Sequence, residues 1–233
     1  MEYFYTPPEL ISSSELSIVG DEFSHLTHVM RKKIGDAIRV VDGAGMAYEA
    51  TIVKIDKRSA GCDITGRHVR LNEPEMDVTL AVAVLKNFSR FDFLVEKVTE
   101  LGVNTIVPLL TERTIPHHAR VERWQKLALA AMKQSGRCVL PRVRELITLS
   151  DFLTATPPKN LKLIAHEKAD GGMKDVFEQH NSLSASICIG PEGGFSDAEI
   201  QCAVRSGFTP VLLGARRLRT ETAAIVAGSL LLV

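Results

Sequence analysis

Three stretches of the 233-residue sequence bring together residue types that could do chemistry. The first is Gly190-Pro191-Glu192-Gly193-Gly194-Phe195-Ser196, with three glycines inside five residues. Glycine admits positive φ and lets a ligand approach where a Cβ would otherwise stand, and a helix beginning at Ser196 would turn its N-terminus toward the loop. The loop lacks the Lys and Ser/Thr of a phosphate-binding P-loop and the G-x-G-x-x-G spacing of a dinucleotide site, and Glu192 would repel phosphate. Its ligand is therefore expected not to be a polyphosphate. The same glycines would serve a bare strand-to-helix turn, and on this loop alone both readings stand.

The second stretch runs from Leu213 and Gly214 through Arg216, Arg217, Leu218 and Arg219 to Thr220, Glu221 and Thr222, directly before an apolar segment. Three arginines beside a carboxylate at a helix start suggest a charged pocket. A solvated basic turn capped by Thr220 is the plainer alternative. The third stretch is Ala165-His166-Glu167. It is not H-E-x-x-H, because Asp170 stands where the second histidine would be, and His25, His28, His117 and His118 have no partners at ligand spacing. No metal site is expected.

Something must hold these stretches together. Residues 78–85, 105–110, 161–165, 186–189 and 211–213 are apolar runs of the kind buried in a parallel sheet. Between them lie helical patterns. One places Phe91, Leu94, Val95, Val98 and Leu101 on a single face before Gly102, and a second over 121–133 buries Trp124 and Leu127 while turning Arg120, Arg123 and Lys126 outward. A third opens on the capping box Ser196-Asp197-Ala198-Glu199, and the last covers 221–232. Alternation of this kind argues an α/β fold, in which ligands sit beyond the carboxyl ends of the strands. All three stretches follow strands, which tips the arginine loop toward the pocket reading.

The first seventy residues differ. Short strands are expected over 38–42, 46–56 and 62–69, one helix over 21–31, and a small barrel or sandwich overall. Asp42-Gly-Ala-Gly45 leads into another strand rather than a helix, so it reads as a hairpin turn and not as a cofactor loop. The polar break Leu71-Asn72-Glu73-Pro74-Glu75 sets the expected boundary, with domains 1–72 and 73–233.

With 28 basic and 28 acidic residues there is no overall field to draw the protein onto a polyanion, so any nucleic-acid surface must be local. Basic residues cluster at 31–33, 54–70 and 113–144, although a solvated face is the plainer reading of each. Cys62, Cys138, Cys188 and Cys202 form no C-x-x-C pair, and no apolar run is long enough to span a bilayer. A cytoplasmic protein without membrane association is expected.

The segment Ile189-Gly-Pro-Glu-Gly-Gly-Phe-Ser-Asp-Ala-Glu199, followed by Leu213-Gly-x-Arg-x-Leu-Arg-Thr-Glu-Thr-Ala223, resembles the SPOUT superfamily, and within it the 16S rRNA uridine N3-methyltransferases of the RsmE family. Glu96-Lys-Val-Thr-Glu-Leu-Gly-Val103, Glu112-Arg113, Arg123-Trp124-Gln-Lys126 and Gln134-Ser-Gly-Arg137 are similar to the same pattern, and His25-Leu-Thr-His-Val-Met-Arg31 with Asp42-Gly43 to its PUA-like domain. The resemblance implies a PUA-like β-barrel followed by a SPOUT-type parallel sheet with a C-terminal trefoil knot. It implies S-adenosylmethionine as cofactor, held by His166, Ile189, Gly190, Gly193, Gly194, Leu213, Gly214, Leu218, Arg219 and Thr220. It further implies a homodimer acting on 16S rRNA in the small ribosomal subunit.

Uridine N3 is a protonated imide and a poor nucleophile until its proton leaves, so such an enzyme needs positive charge beside the uracil oxygens. Arg219 is the first candidate. Arg90 is a second, contributed from a partner subunit, with Glu221 orienting the arginine or taking the proton. Arg31, Lys32, Lys86, Arg113 and Arg123 are candidate RNA contacts. A structural Arg219 paired with Glu221 is the competing expectation.

Overall fold

The computed structural model describes residues 3–158, 161–180 and 182–233. The chain divides into two compact units, one formed by the chain up to Glu73 together with Leu129–Leu140, the other by Pro74–Ala128 and Pro141–Val233.

The first unit contains β1 (Tyr3–Tyr5), β2 (Glu15–Val19), α1 (Gly20–Ser24), β3 (Ala37–Val41), β4 (Met46–Ile55) and β5 (Ser59–Val69). They form a five-stranded sheet in the order β1-β3-β4-β5-β2. Only the β1 and β3 pair is parallel, and bulges between Glu49 and Ala50 and between Ile52 and Lys54 curl the long β4 and β5 ladder. Phe4, Leu16, Ile18, Leu26, Ile38 and Ile52 fill its core. The expected helix over 21–31 is present over residues 20–29, its α-helical part Gly20–Ser24 continuing into a π-helical turn over His25–Val29 before Arg31 at φ 52°. The expected hairpin is present: Asp42 Oδ1 accepts from the backbone N–H groups of Ala44 at 2.7 Å and Met46 at 3.0 Å.

The boundary segment 71–75 is anchored by Glu73. Its carboxylate accepts from the backbone N–H groups of Cys138 at 2.8 Å and Val139 at 2.9 Å, and from Arg137 Nη2 at 2.7 Å. The Glu73 and Arg137 side chains are 0% and 2% exposed, so the pair is satisfied by hydrogen bonds rather than by water.

The second unit holds β6 (Asp77–Ala83), α2 (Phe88–Leu101), β7 (Thr105–Leu110), α3 (Val121–Ser135), β8 (Arg142–Val143), β9 (Ile147–Thr148), α4 (Leu149–Ala155), β10 (Leu161–Ala165), α5 (Met173–Glu178), β11 (Ser184–Ile189), α6 (Asp197–Arg205), β12 (Thr209–Val211) and α7 (Thr220–Leu232). Helix α3 begins here, and its later residues count with the first unit. The sheet runs β12-β10-β11-β6-β7-β8, with β9 also on β7, and every pair is parallel. This order sets the loops after β12, β10 and β11 side by side, with those after β6 and β7 next to them.

Strands β6 and β11 are buried on both faces, and beyond their first residues their apolar sequences are interrupted only by Thr79 and Ser186. Helix α2 buries Phe91, Leu94, Val95 and Val98 and ends at the left-handed Gly102, and it packs against α7. Strand β12 lies two residues earlier than the sequence pattern places it and includes Pro210, which its position at the sheet edge tolerates. Among the described residues no helix is long and apolar enough to cross a membrane.

Candidate functional site

At the carboxyl edge of the second unit's sheet, the loops after β10, β11 and β12 enclose a cavity of about 1060 Å³. All the residues expected to hold a cofactor line it, from His166 through the glycine loop to Thr220, together with Arg90 and Arg113.

The glycine loop is shaped from within and from behind. Gly194 adopts φ 68° and donates to the Pro191 carbonyl at 2.9 Å, closing a turn that a residue with a Cβ would strain. Gly193 has another role: a Cβ there would stand 3.3 Å from Cδ of Arg113. Arg113 Nη1 donates to the Gly193 carbonyl at 2.7 Å and to the Phe195 carbonyl at 3.4 Å. The expected capping box is complete, with Glu199 N–H on Ser196 Oγ at 3.2 Å and Ser196 N–H on Glu199 Oε2 at 2.8 Å. The other oxygen of Glu199 accepts from the Glu112 backbone N–H at 2.8 Å, so one carboxylate ties the loop after β7 to the start of α6.

The loops on either side are tied by backbone bonds as well. His166 N–H donates to the Val211 carbonyl at 3.0 Å, Met173 N–H to the Leu212 carbonyl at 2.9 Å, and Leu212 N–H to the Gly171 carbonyl at 2.9 Å.

Three of the five arginines that line the cavity have three different roles. Arg90, from the first turn of α2, donates through Nε to Glu221 Oε1 at 2.9 Å and through Nη2 to Oε2, while Nη1 lies 3.4 Å from Glu192. Both residues belong to the same chain, so Arg90 is already held in place within the chain that carries it. Burial pushes the Glu221 carboxyl up, but the Arg90 hydrogen bonds, with help from its own backbone N–H and from the charges of Arg90 and Arg219, bring it below the ordinary carboxylate value. Arg113 grips the glycine loop. Arg219 is exposed, lines the cavity and has no ion-pair partner among the described residues. The expected pairing of Arg219 with Glu221 is thus replaced by Arg90 with Glu221, a contact across 131 positions that no local pattern announces.

The expected RNA contacts are dispersed. Arg31 and Lys32 are on the first unit, where Arg31 is exposed and Lys32 Nζ reaches the Ala37 carbonyl at 3.4 Å. Arg123 is bound to Asp92, at 2.9 Å from Nε, and Asp92 also accepts from Trp124 Nε1 at 2.9 Å. Trp124 itself is fully buried. Lys86 is exposed and has no ion pair among the described residues. No group of three or more His, Cys, Asp or Glu side chains suited to a metal ion occurs among the described residues.

Comparison with known proteins bears on this geometry. Residues 72–232 match the family described as RNA methyltransferase domain, and residues 18–65 that described as RNA methyltransferase PUA domain. The ribosomal RNA small subunit methyltransferase E of Synechocystis is 35% identical over 225 residues, covering 94% of this chain and 73% of that one. This chain belongs to the small-subunit ribosomal RNA methyltransferase E family. Another family member, from Buchnera aphidicola, is 30% identical, with 92% of this chain and 86% of that one covered. A crystal structure of the family's Neisseria gonorrhoeae member bound to S-adenosyl methionine superposes with a TM-score of 0.89 at 34% identity, covering 98% of this chain and 95% of that one. The family's architecture, a PUA-like domain with a curled sheet and a SPOUT-like parallel sheet, is the one described above.

Proposed function

We propose that this protein transfers a methyl group from S-adenosylmethionine to N3 of a uridine in 16S rRNA, acting in the cytoplasm on the assembled small subunit. The observation that carries the reading is the convergence, in one cavity, of a glycine loop with Arg219, which has no ion-pair partner among the described residues. The cavity suits the cofactor. Gly193 and Gly194 present backbone without side chains, Ile189, Leu213 and Leu218 offer apolar surface, and no P-loop lysine is there to demand a polyphosphate. His166, Gly190, Gly214 and Thr220 complete the set that would hold it. Once bound, the cofactor supplies an electrophilic methyl group.

The chain's own residues then have separable tasks. Arg219 stabilises the negative charge that develops on the uracil oxygens as N3 gives its proton to solvent water, and it is available to do so because Glu221 is hydrogen-bonded to Arg90. Glu221 holds Arg90 flat at the rim of the cavity. A carboxylate kept ionised by an arginine is a weak base, so orientation of Arg90 suits Glu221 better than proton removal. Arg113 positions the glycine loop. Arg31 and Lys32 supply RNA contacts on the PUA-like domain. The knotted path of the cofactor loops and the homodimer belong to the same reading, and α7, apolar after its first turn apart from Ser229, fits a subunit interface.

The test is transfer of labelled methyl from S-adenosylmethionine to small subunits taken from a strain lacking the enzyme. Label in 16S rRNA supports the reading. Tight subunit binding without label would make the chain a silent RNA-binding protein.

A further inference from the structure

A second recess, of about 520 Å³, shares Arg90 and Glu192 with the cofactor cavity and is otherwise walled by Lys86, Phe88 and Arg120 with neighbouring polar groups. Its charges are unequal. Arg90 is matched by Glu221 and Glu192, but among the described residues neither Lys86 nor Arg120 has a carboxylate within ion-pair distance.

Arg120 is nevertheless held in place. Its guanidinium lies 4.2 Å from the centre of the Phe88 ring, and the His118 ring lies 5.0 Å from the same ring. Behind them the Phe91 and Trp124 rings stack at 4.0 Å, and Asp92 receives both Trp124 and Arg123. The starts of α2 and α3 are thereby locked to each other. The Arg120 carbonyl accepts the Trp124 N–H at 2.9 Å, which fixes the backbone of Arg120 directly before α3. A planar guanidinium supported on an aromatic ring, beside a lysine and without a counter-ion, is suited to a phosphate group.

We propose that this recess takes a backbone phosphodiester of the RNA substrate, bound by Lys86 and Arg120, and so delivers the attached nucleotide across the Arg90 and Glu192 wall to the methyl-transfer cavity. The proposal rests on the rRNA-methylation reading. Phe88 acts as a positioning residue by holding Arg120. Glu192, the one acid on the wall, would repel the phosphate were it not turned to Arg90, at 3.4 Å.

The experiment measures binding of small subunits to the full chain across a range of salt, with calorimetric titration of S-adenosylmethionine alongside. Lys86→Ala and Arg120→Ala are each expected to weaken subunit binding about tenfold at moderate salt and to reduce the slope of log affinity against log salt by about one, with cofactor affinity unchanged. Phe88→Leu keeps both charges and should weaken binding less, with the slope retained. If wild type binds and methylates subunits while both charge variants keep its affinity and slope, the recess is not a phosphate site although the methylation reading survives. Loss of cofactor affinity in Arg120→Ala equal to the loss in subunit binding would also overturn the proposal, making Arg120 a support of the neighbouring cavity. A wild-type protein that neither binds nor methylates subunits removes the methylation reading, and this proposal with it.

Discussion

Arg90 and Glu221 meet through two hydrogen bonds, Nε to Oε1 at 2.9 Å and Nη2 to Oε2, joining the first turn of α2 to the first turn of α7. The Glu221 side chain is 11% exposed, so the carboxylate depends on Arg90 rather than on water for its charge. Glu221→Gln keeps the shape and removes that charge. Because the folded carboxyl lies below its ordinary value of 4.5, the unfolded chain takes up a proton first as the pH falls, and the pair stabilises the fold fully only above that value. Wild type should therefore melt above Glu221→Gln at neutral pH, and the gap should shrink as the pH falls below about 4.5. Thermal melts of both proteins at pH 7 and in steps toward pH 3 measure it. A gap that widens in acid would mean that the carboxyl is not held ionised.

Arg219 carries the proposed charge stabilisation. Arg219→Ala should lower the single-turnover methylation rate on the order of 100-fold, as the loss of one oriented transition-state donor does, with much less change in cofactor affinity. Arg219→Lys keeps a charge without the planar fork and should fall between. Rapid-quench measurement at saturating cofactor separates rate from binding. If affinity and thermal stability drop together while the saturated rate survives, Arg219 is structural and the role passes to Arg90.

Gly193 is tested from the opposite direction. A valine there must displace Arg113, whose side chain stands 3.3 Å from the position its Cβ would take. Gly193→Val should therefore abolish S-adenosylmethionine binding by calorimetry while the protein stays folded, and Arg113→Ala should weaken binding in the same direction. Unchanged affinity in the valine variant would remove the loop from the cofactor site.

The sequence conveys this region unevenly. Gly102, the Ser196 and Glu199 capping box and the apolar runs of β6, β7 and β10 are local signals, and the elements they announce are where they should be. The loops of the cavity were legible because the parallel sheet puts strand ends together, so position in the fold follows once the strands are recognised. Arg90 with Glu221 and Arg113 with Gly193 were not legible, since both arise from sheet order between segments far apart in the chain. Arg113 and Arg123 look like phosphate ligands in a sequence, and only their partners, the Gly193 carbonyl and Asp92, reveal what they hold. Strand β1 has three residues, too few to show a period, and Pro210 hides the start of β12.

Glu73 gives the first unit its own test. Its side chain is fully buried and accepts from Arg137 and two backbone N–H groups, so Glu73→Ala removes the carboxylate that these donors share. Breaking such a pair by removing one partner costs about 3–5 kcal/mol. Denaturant unfolding should show that loss. A change below about 1 kcal/mol, the range of an exposed pair, would mean that water replaces the carboxylate at little cost.

The central claim, methylation of uridine N3, is tested most directly by nucleoside mass spectrometry of 16S rRNA from small subunits of a strain lacking the enzyme, before and after incubation with the protein and S-adenosylmethionine. The account predicts N3-methyluridine, absent before and present after, at one position, and on the order of 100-fold less of it when Arg219→Ala is incubated for the same short time. Appearance of a 2′-O-methylated nucleoside instead, or of no methylated nucleoside at all, would contradict it.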